Sequence, residues 1–198
     1  MICGAIIPFD IVKSITGAST DAEASTQGRT VIEMLENYFG KLLVKQDIEN
    51  EKVTVPYALS RVITPKHAPI NSVSSLEIIT HNGTYKADTH YLAIGQYGVE
   101  LLEQFWYHLP RYILPNTIAG VKISYNAGYF NSWAEFPGIL QTAAMELLKY
   151  RFNPGFVAGF NSEHLGDYSY NKGTIVNGIP AEIAGLLDGL VLWVLAAY

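Results

Sequence analysis

Two kinds of hydrophobic periodicity divide the chain into three parts. Apolar residues recur every three to four positions near both ends, which is the spacing of amphipathic helices. From about residue 41 to residue 125 apolar and polar residues alternate, which is the spacing of strands. The pattern predicts an α+β fold, in which a small α-helical bundle carries an inserted antiparallel β-sheet region. The predicted parts are N-terminal helices in 1–40, the β region in 41–128, and C-terminal helices with an interhelix loop and an apolar tail in 129–198, together one composite domain.

Start and stop signals bound the two N-terminal helices. Pro8 stands near the first turn of one helix and Gly17 at its end. Thr20 and Glu23 have the spacing of a capping box that opens the second helix, and Gly40 closes it. The stripe of this second helix includes Val31, Met34, Leu35 and Tyr38. Neither pair of terminal helices can cover its own apolar stripe, so the N- and C-terminal helices are expected to pack on each other.

Two further helices are predicted to begin near Pro137 and near Pro180. Their apolar stripes comprise Leu140, Ala143, Leu147 and Tyr150 in one, and Ile183, Leu187, Leu190 and Val194 in the other. Within the β region, Asn82-Gly83 between two strand-like runs is a strong hairpin signal.

The segment "VKISYNAGYF", residues 121–130, joins the strand region to the C-terminal helices. Val121, Ile123 and Tyr125 share one face at the strand period. Asn126 and Gly128 can both adopt positive φ, so the chain can turn sharply there. The segment is therefore predicted to be a joint between sheet and helix.

Composition limits the classes of function. The 198 residues are 49% hydrophobic and 16% charged, so the chain can bury a core. Its net charge is −5, with no basic block, which argues against a protein that grips the phosphate backbone. The single cysteine, Cys3, excludes an intramolecular disulfide and favours a reducing compartment. Asp188 interrupts the apolar C-terminal run, which is shorter than the roughly 20 residues of a membrane span, so a soluble protein is expected.

Candidate catalytic and metal-binding residues form no convincing site. One loop gathers Ser162, His164, Asp167 and Ser169. This loop has no G-x-S-x-G elbow, so the favoured interpretation is that its Asp and Ser side chains hydrogen-bond to the backbone of the loop itself. Near the hairpin lie two histidines and one acid, His81, His90 and Asp88. No third and fourth metal ligand has suitable spacing. No catalytic residue, metal site or cofactor is predicted, and the chain is not expected to be an enzyme.

The apolar C-terminal segment and two loop tyrosines are the candidate interface residues. Past Asp188 the last helix has no charged face, and an apolar surface of this kind must be covered. It either completes the chain's own core or docks into a partner, and the sequence leaves both open. The candidate residues are Tyr168, Tyr170, Leu190, Trp193, Val194, Leu195 and Tyr198.

The order of several segments resembles one known family. A strand ending "ISYNAGY" precedes a helix introduced by Pro137, then a "SEHLGDYSY" loop and a helix introduced by Pro180. Upstream, "ITPKHAPINSVSSLEI" is similar to the family's inserted sheet. The pattern, which covers most of residues 20–190, resembles the head–tail connector proteins (adaptor, or head-completion proteins) of long-tailed bacteriophages.

The resemblance implies a structural virion protein that forms a dodecameric ring below the portal and extends the channel through which DNA leaves the capsid. Residues 183–198 would dock onto the portal, and residues 155–178 would face a neighbouring subunit or a stopper protein. The implied partners are further copies of the chain, the portal, other neck or tail-completion proteins, and duplex DNA that passes without specific binding. The implied location is the virion neck, after assembly in the host cytoplasm, with no membrane and no cofactor.

Two functions of other classes stay open from the sequence. A β-rich carbohydrate-binding module would stack a sugar on Trp106, Tyr107 and neighbouring tyrosines. A small hydrolase would use the loop that carries His164 and Asp167.

Overall fold

The computed structural model describes residues 6–53, 62–80, 83–87, 92–95, 97–102, 118–153, 164–165, 168–169, 175–176 and 178–196. For 92–93, 118–119, 164–165, 168–169 and 191–196 it describes the backbone alone. The chain divides into two compact units, one formed by residues 1–43 and 130–198 and the other by residues 44–129. Helices lie in the first unit and the long antiparallel strands in the second, so the predicted α+β class is confirmed.

The N-terminal helices of the first unit are α1, Phe9–Thr16, and α2, Asp21–Phe39. Gly17 ends α1 at φ 74° and Gly40 ends α2 at φ 64°, conformations that glycine adopts without steric cost. The Glu23 N–H donates to Thr20 Oγ1 at 3.2 Å, which confirms the predicted cap. The Glu23 carboxylate reaches back one residue further than a standard capping box, because Oε2 accepts from the Ser19 N–H at 2.9 Å.

The C-terminal helices are α3, Gly138–Phe152, and α4, Ala181–Ala196. Helix α3 packs against α1, α2 and α4, so it is the centre of the unit and the predicted packing of terminal helices on each other is confirmed. Of the predicted stripe, Leu140, Ala143 and Leu147 are buried and Tyr150 is half-buried. Ala144 and Leu148 are buried as well, because the helix has neighbours on several sides. Before α3, a short 3-10 turn, Trp133–Glu135, places the Phe130 and Phe136 rings 5.0 Å apart.

The second unit is built on a four-stranded antiparallel sheet. Its strands are β1, Gln46–Val53, β3, Ile70–Thr80, β4, Gly83–Ala87, and β7, Ile118–Ala127, in the order β1-β7-β3-β4. A smaller sheet has the order β2-β6-β5, from β2, Val62–Ile63, β5, Leu92–Ile94, and β6, Val99–Leu101. The predicted hairpin is confirmed, but Thr80 pairs with Gly83, so Gly83 already belongs to β4.

One face of the large sheet carries the core of the second unit. The buried residues are Ile70, Val73, Leu76, Ile78, Ala87, Val121, Ile123, Tyr125 and Ala127. The hydroxyl of Tyr125 donates to Glu51 Oε2 at 2.6 Å and accepts from the His67 N–H at 3.3 Å. Burial and then the hydrogen bond to the Glu51 carboxylate raise the pKa of Tyr125, so its ring stays neutral and its polar atom is satisfied.

Gly128 has a tighter role than a turn residue. Its φ is 121°, its N–H donates to the Pro69 carbonyl at 3.0 Å, and its carbonyl accepts from Asn71 Nδ2 at 2.9 Å. A Cβ at this position would lie 2.4 Å from the Val44 carbonyl oxygen. Here the backbone at the end of β7 passes close to the backbone that leads into β1, and only glycine fits this approach.

Two short strand pairs complete the described elements. The strands β8, His164–Leu165, and β9, Tyr168–Ser169, pair with each other, and so do β10, Ile175–Val176, and β11, Ile179–Pro180. The pair β10–β11 lies directly before α4 in the chain and packs against it.

Candidate interaction surface

Helix α4 has one face in the core and another in solvent. Ile183, Ala184, Leu187 and Leu190 recur at helical spacing and are all buried. Glu182, Gly185, Leu186, Asp188 and Gly189 are exposed. The spacing that places the buried face against the rest of the unit therefore leaves a second face of α4 exposed, on which Glu182 and Asp188 carry charge.

The exposed face of α4 also carries a large apolar side chain. Leu186 is 47% exposed, and a Cβ added at Gly185 or Gly189 would meet no atom within 4 Å. The neighbouring pair β10–β11 adds Ile175, 54% exposed, and Val176, 40% exposed. Exposed large aliphatic side chains on a terminal helix and the hairpin before it form a surface suited to contact with another protein. We call Ile175, Val176 and Leu186 the C-terminal apolar surface.

A hydrogen bond ties α4 to α2. Tyr38 Oη donates to Asp188 Oδ1 at 2.7 Å and approaches the Ala184 carbonyl at 3.5 Å. Burial, followed by the hydrogen bond to the Asp188 carboxylate, raises the pKa of the Tyr38 hydroxyl above its ordinary value. Asp188, which interrupts the apolar run in the sequence, therefore orients α4 on the bundle.

We predict that Tyr38→Phe lowers the free energy of unfolding by about 0.5–1.5 kcal/mol, because the substitution removes a solvent-accessible hydrogen bond and little packing. The raised pKa of Tyr38 implies that wild-type stability holds below the ordinary tyrosine pKa of about 10 and falls as pH rises through the folded-state value. Tyr38→Phe should lose the part of this alkaline fall that Tyr38 causes. Urea unfolding at neutral and alkaline pH measures both effects. As a control, Asp188→Asn keeps an acceptor oxygen for Tyr38 and should lower the free energy of unfolding less than Tyr38→Phe does. Equal stability of wild type and Tyr38→Phe would contradict the prediction.

The structure places the predicted interface residues in different settings. Leu190 is 4% exposed and belongs to the core of the first unit. The backbone positions of Trp193, Val194 and Leu195 lie in α4, and that of Tyr168 pairs with Leu165 in β8–β9. Their side chains, and Tyr170 and Tyr198 altogether, lie outside the described residues. An interface role for this set stays a prediction.

Sequence reasoning did not single out Ile175, Val176 or Leu186. The predicted stripe of the last helix includes Ile183, Leu187 and Leu190, and it is confirmed at these positions because all three side chains are buried. Leu186 lies off that stripe, but periodicity alone does not mark an exposed leucine as a contact residue. Ile175 and Val176 could have been found from the sequence, because they are two adjacent aliphatic residues just before a glycine turn.

The candidate residues for chemistry are only partly described. His164 pairs with Ser169 through the backbones of β8 and β9, whereas Ser162 and Asp167 lie outside the described residues. Also outside the described residues are His81, Asp88, His90, Trp106 and Tyr107. In the part of the chain that is described, no group of three His, Cys, Asp or Glu side chains could hold a metal ion. Within those ranges, no helix combines the length and apolar character needed to cross a membrane.

The chain matches no protein-family model and no curated protein. Its fold is similar to that of chains in three solved structures. The first is the neck of an empty gene transfer agent (GTA) particle, computed with C6 symmetry: TM-score 0.58 and 17% sequence identity, over 96% of this chain and 91% of that chain. The second is the virion of a native GTA particle, with TM-score 0.57 and 18% identity over 96% and 91% of the two chains. The third is the neck of a native GTA particle, computed with C12 symmetry, with TM-score 0.54 and 17% identity over 91% and 96%.

Proposed function

We propose that the protein is a structural component of the neck of a phage-like virion. The observation that carries the proposal is a shared fold over more than nine-tenths of both chains with proteins in neck and virion structures. The likeness includes the helical unit and the inserted sheet, so it reaches beyond a common small motif. The sequence resemblance to head–tail connectors was drawn from motif order alone and leads to the same class of protein.

Within the neck, we propose the role of a head–tail connector, an adaptor ring below the portal that extends the DNA channel toward the tail. Two of the similar structures were computed with sixfold or twelvefold symmetry, which supports a ring of identical copies. A closed ring needs a heterologous contact, in which one surface of a copy meets a different surface of the next. The C-terminal apolar surface would supply one half of such a contact or the docking site for the portal.

The proposed partners follow from that role. They are further copies of the chain, the portal, other neck or tail-completion proteins, and duplex DNA that passes through during ejection without sequence-specific binding. The candidate interface residues in α4 and in the loop before it are Tyr168, Tyr170, Trp193, Val194, Leu195 and Tyr198, whereas Leu190 is buried in the first unit. The role requires no cofactor and no catalysis.

The test is a mass measurement of the purified full chain, alone and mixed with its portal protein. We expect the portal to collect the chain into one complex with six or twelve copies, the copy numbers compatible with the symmetric necks. An acidic protein of unrelated fold serves as the control for charge-driven association. A chain that stays monomeric at concentrations well above the portal's own, and that never co-elutes with the portal, would exclude the connector role.

A further inference from the structure

The register of the large sheet brings four charged residues from four strands into one row. Lys52 of β1 is paired with Lys122 of β7, Lys122 with Glu77 of β3, and Glu77 with Lys86 of β4. Neighbouring strands lie about 4.8 Å apart, so the row crosses the whole sheet over roughly 14 Å. We call these four residues the lysine row.

The lysine row lies on the face of the sheet opposite to the core. The next residues along each strand, Val53, Val121, Ile78 and Tyr85, form the adjacent row. Val121 and Ile78 in that adjacent row are buried, and side chains of successive strand residues point to opposite faces. Lys52 and Lys86 are exposed, and the Lys122 and Glu77 side chains are 34% and 33% exposed. The row is therefore open to solvent from one edge of the sheet to the other.

The charges of the row do not cancel. Glu77 Oε2 lies 3.5 Å from Lys122 Nζ, so this carboxylate offsets one of the three lysine charges and leaves a formal net charge of two positive units in the row. On the same face Asp47 is paired with Asn126, four residues along β7, or about 14 Å away at the rise of a strand. At physiological salt the screening length is about 8 Å, so Asp47 weakens the local field of the row only slightly. Glu49 is nearer to the lysine row than Asp47 is, and its carboxylate limits the positive field on that side. It lies at the bulge of β1 where the Asn50 N–H donates to Ser124 Oγ.

A hydroxyl group adjoins the row on this face, because Thr84 is exposed and precedes Lys86 by two residues in β4. Further along the sheet, Ser72 and Ser74 are exposed and Asn126 is half-buried. Lysines together with Ser, Thr and Asn side chains are the groups that contact phosphate oxygens in proteins that hold DNA without reading its sequence. A row of about 14 Å matches the axial length of about four base pairs, at 3.4 Å per phosphate on each strand.

We propose that the lysine row is a weak, sequence-independent contact for the phosphate backbone of duplex DNA. The inference rests on the proposed function only for the expectation that DNA meets this face of the sheet. The affinity for phosphate follows from the residues of the sheet alone. Three lysines with one interposed carboxylate on a chain of charge −5 give an affinity that is measurable at low salt and slight at physiological salt. Such a contact centres a moving duplex without holding it.

The first experiment seeks a gain of binding, which a misfolded variant could not imitate. Glu77→Gln removes the carboxylate inside the row, and binding of a short fluorescein-labelled duplex is measured by anisotropy from about 20 to 200 mM salt. We expect Glu77→Gln to tighten binding at the lowest salt about three- to tenfold, because one more lysine becomes available to a phosphate. The matched control is Glu100→Gln, on an exposed residue of β6 in the same unit, which changes the net charge equally and should leave affinity nearly unchanged.

The second experiment removes the row. Each lysine–phosphate contact contributes about 0.9 to the slope of log affinity against log salt, so the double variant K52Q K86Q should flatten the slope by about 1.8. The control K45Q K66Q removes the same charge from the same unit outside the row and should keep the wild-type slope. Circular dichroism melting of all variants verifies that they fold.

The outcomes are separable from those of the connector role. Equal salt slopes for the row and control variants, or no wild-type binding at the lowest salt, would overturn the DNA contact even if the chain assembles with the portal. Binding that depends on the row in a chain that never joins the portal would support the contact and exclude the connector. Preference for one duplex sequence over another would also contradict the proposal, because lysine–phosphate contacts carry no sequence information.

Discussion

Gly128→Ala is expected to destabilise the second unit by about 2–6 kcal/mol. The backbone φ of 121° is strained for any residue with a Cβ, at a cost of about 1–3 kcal/mol. The new methyl would also lie 2.4 Å from the Val44 carbonyl oxygen and 2.7 Å from the Lys45 nitrogen, and these are backbone atoms that cannot rotate away. Relieving that overlap costs about another 1–3 kcal/mol, because the backbone at the end of β7 must move away from the residues before β1. Urea unfolding followed by circular dichroism measures the loss.

Two other glycines separate the contributions to that loss. Gly83 has φ 145°, and a Cβ there would have no atom within 4 Å, so Gly83→Ala carries backbone strain without overlap and should cost about 1–3 kcal/mol. Gly138, at the start of α3, has neither feature, so Gly138→Ala should be neutral or slightly stabilising. If Gly128→Ala unfolds at the same urea concentration as Gly83→Ala, the close approach to Val44 does not restrict the site.

The double substitution L186A W193A is expected to abolish docking onto the portal while the chain stays folded. Leu186 is 47% exposed, and position 193 follows it by two helical turns, on the same side of α4 as Gly189. Removing an interface tryptophan typically costs about 2 kcal/mol or more and removing an exposed leucine contact about 1–2 kcal/mol, so affinity should fall roughly a hundredfold or more. Co-sedimentation with the portal measures docking, and thermal melting measures the fold.

Leu190→Ala is the matched control on the same helix. Leu190 is buried, so its truncation should lower the free energy of unfolding by about 2–5 kcal/mol through the cavity it leaves. We therefore expect L186A W193A to lose docking and keep the wild-type melting temperature, and Leu190→Ala to melt at a lower temperature. A double variant that docks like wild type would exclude this face of α4 as the portal contact. A double variant that melts as low as Leu190→Ala would assign Leu186 and Trp193 to the core instead.

The sequence by itself determined the four helices and the ends of the first two. Gly17, Gly40 and the Thr20 cap are local signals, because the residues that satisfy a helix terminus lie within a few positions of it. Alternation in "VKISY" and helical spacing after Pro137 likewise depend on neighbours in the chain, so fold class and helix positions could be predicted. The special role of Gly128 was only half visible. Its turn-forming capacity could be predicted, but its contact partner, Val44, is 84 positions away.

Only the tertiary structure decided which surfaces are available for function. Lys52, Glu77, Lys86 and Lys122 come from four separate segments, and strand register alone aligns them. Register depends on pairings between distant residues, and a shift by one position would have moved each lysine to the other face. Helical spacing predicted Leu187 and Leu190 on one stripe of the last helix, but the helix is apolar on nearly all sides, so the sequence could not establish which apolar face would be covered and which, like that of Leu186, would stay exposed. That distinction depends on where α3 packs, and the position of α3 is set by its simultaneous contacts with α1, α2 and α4.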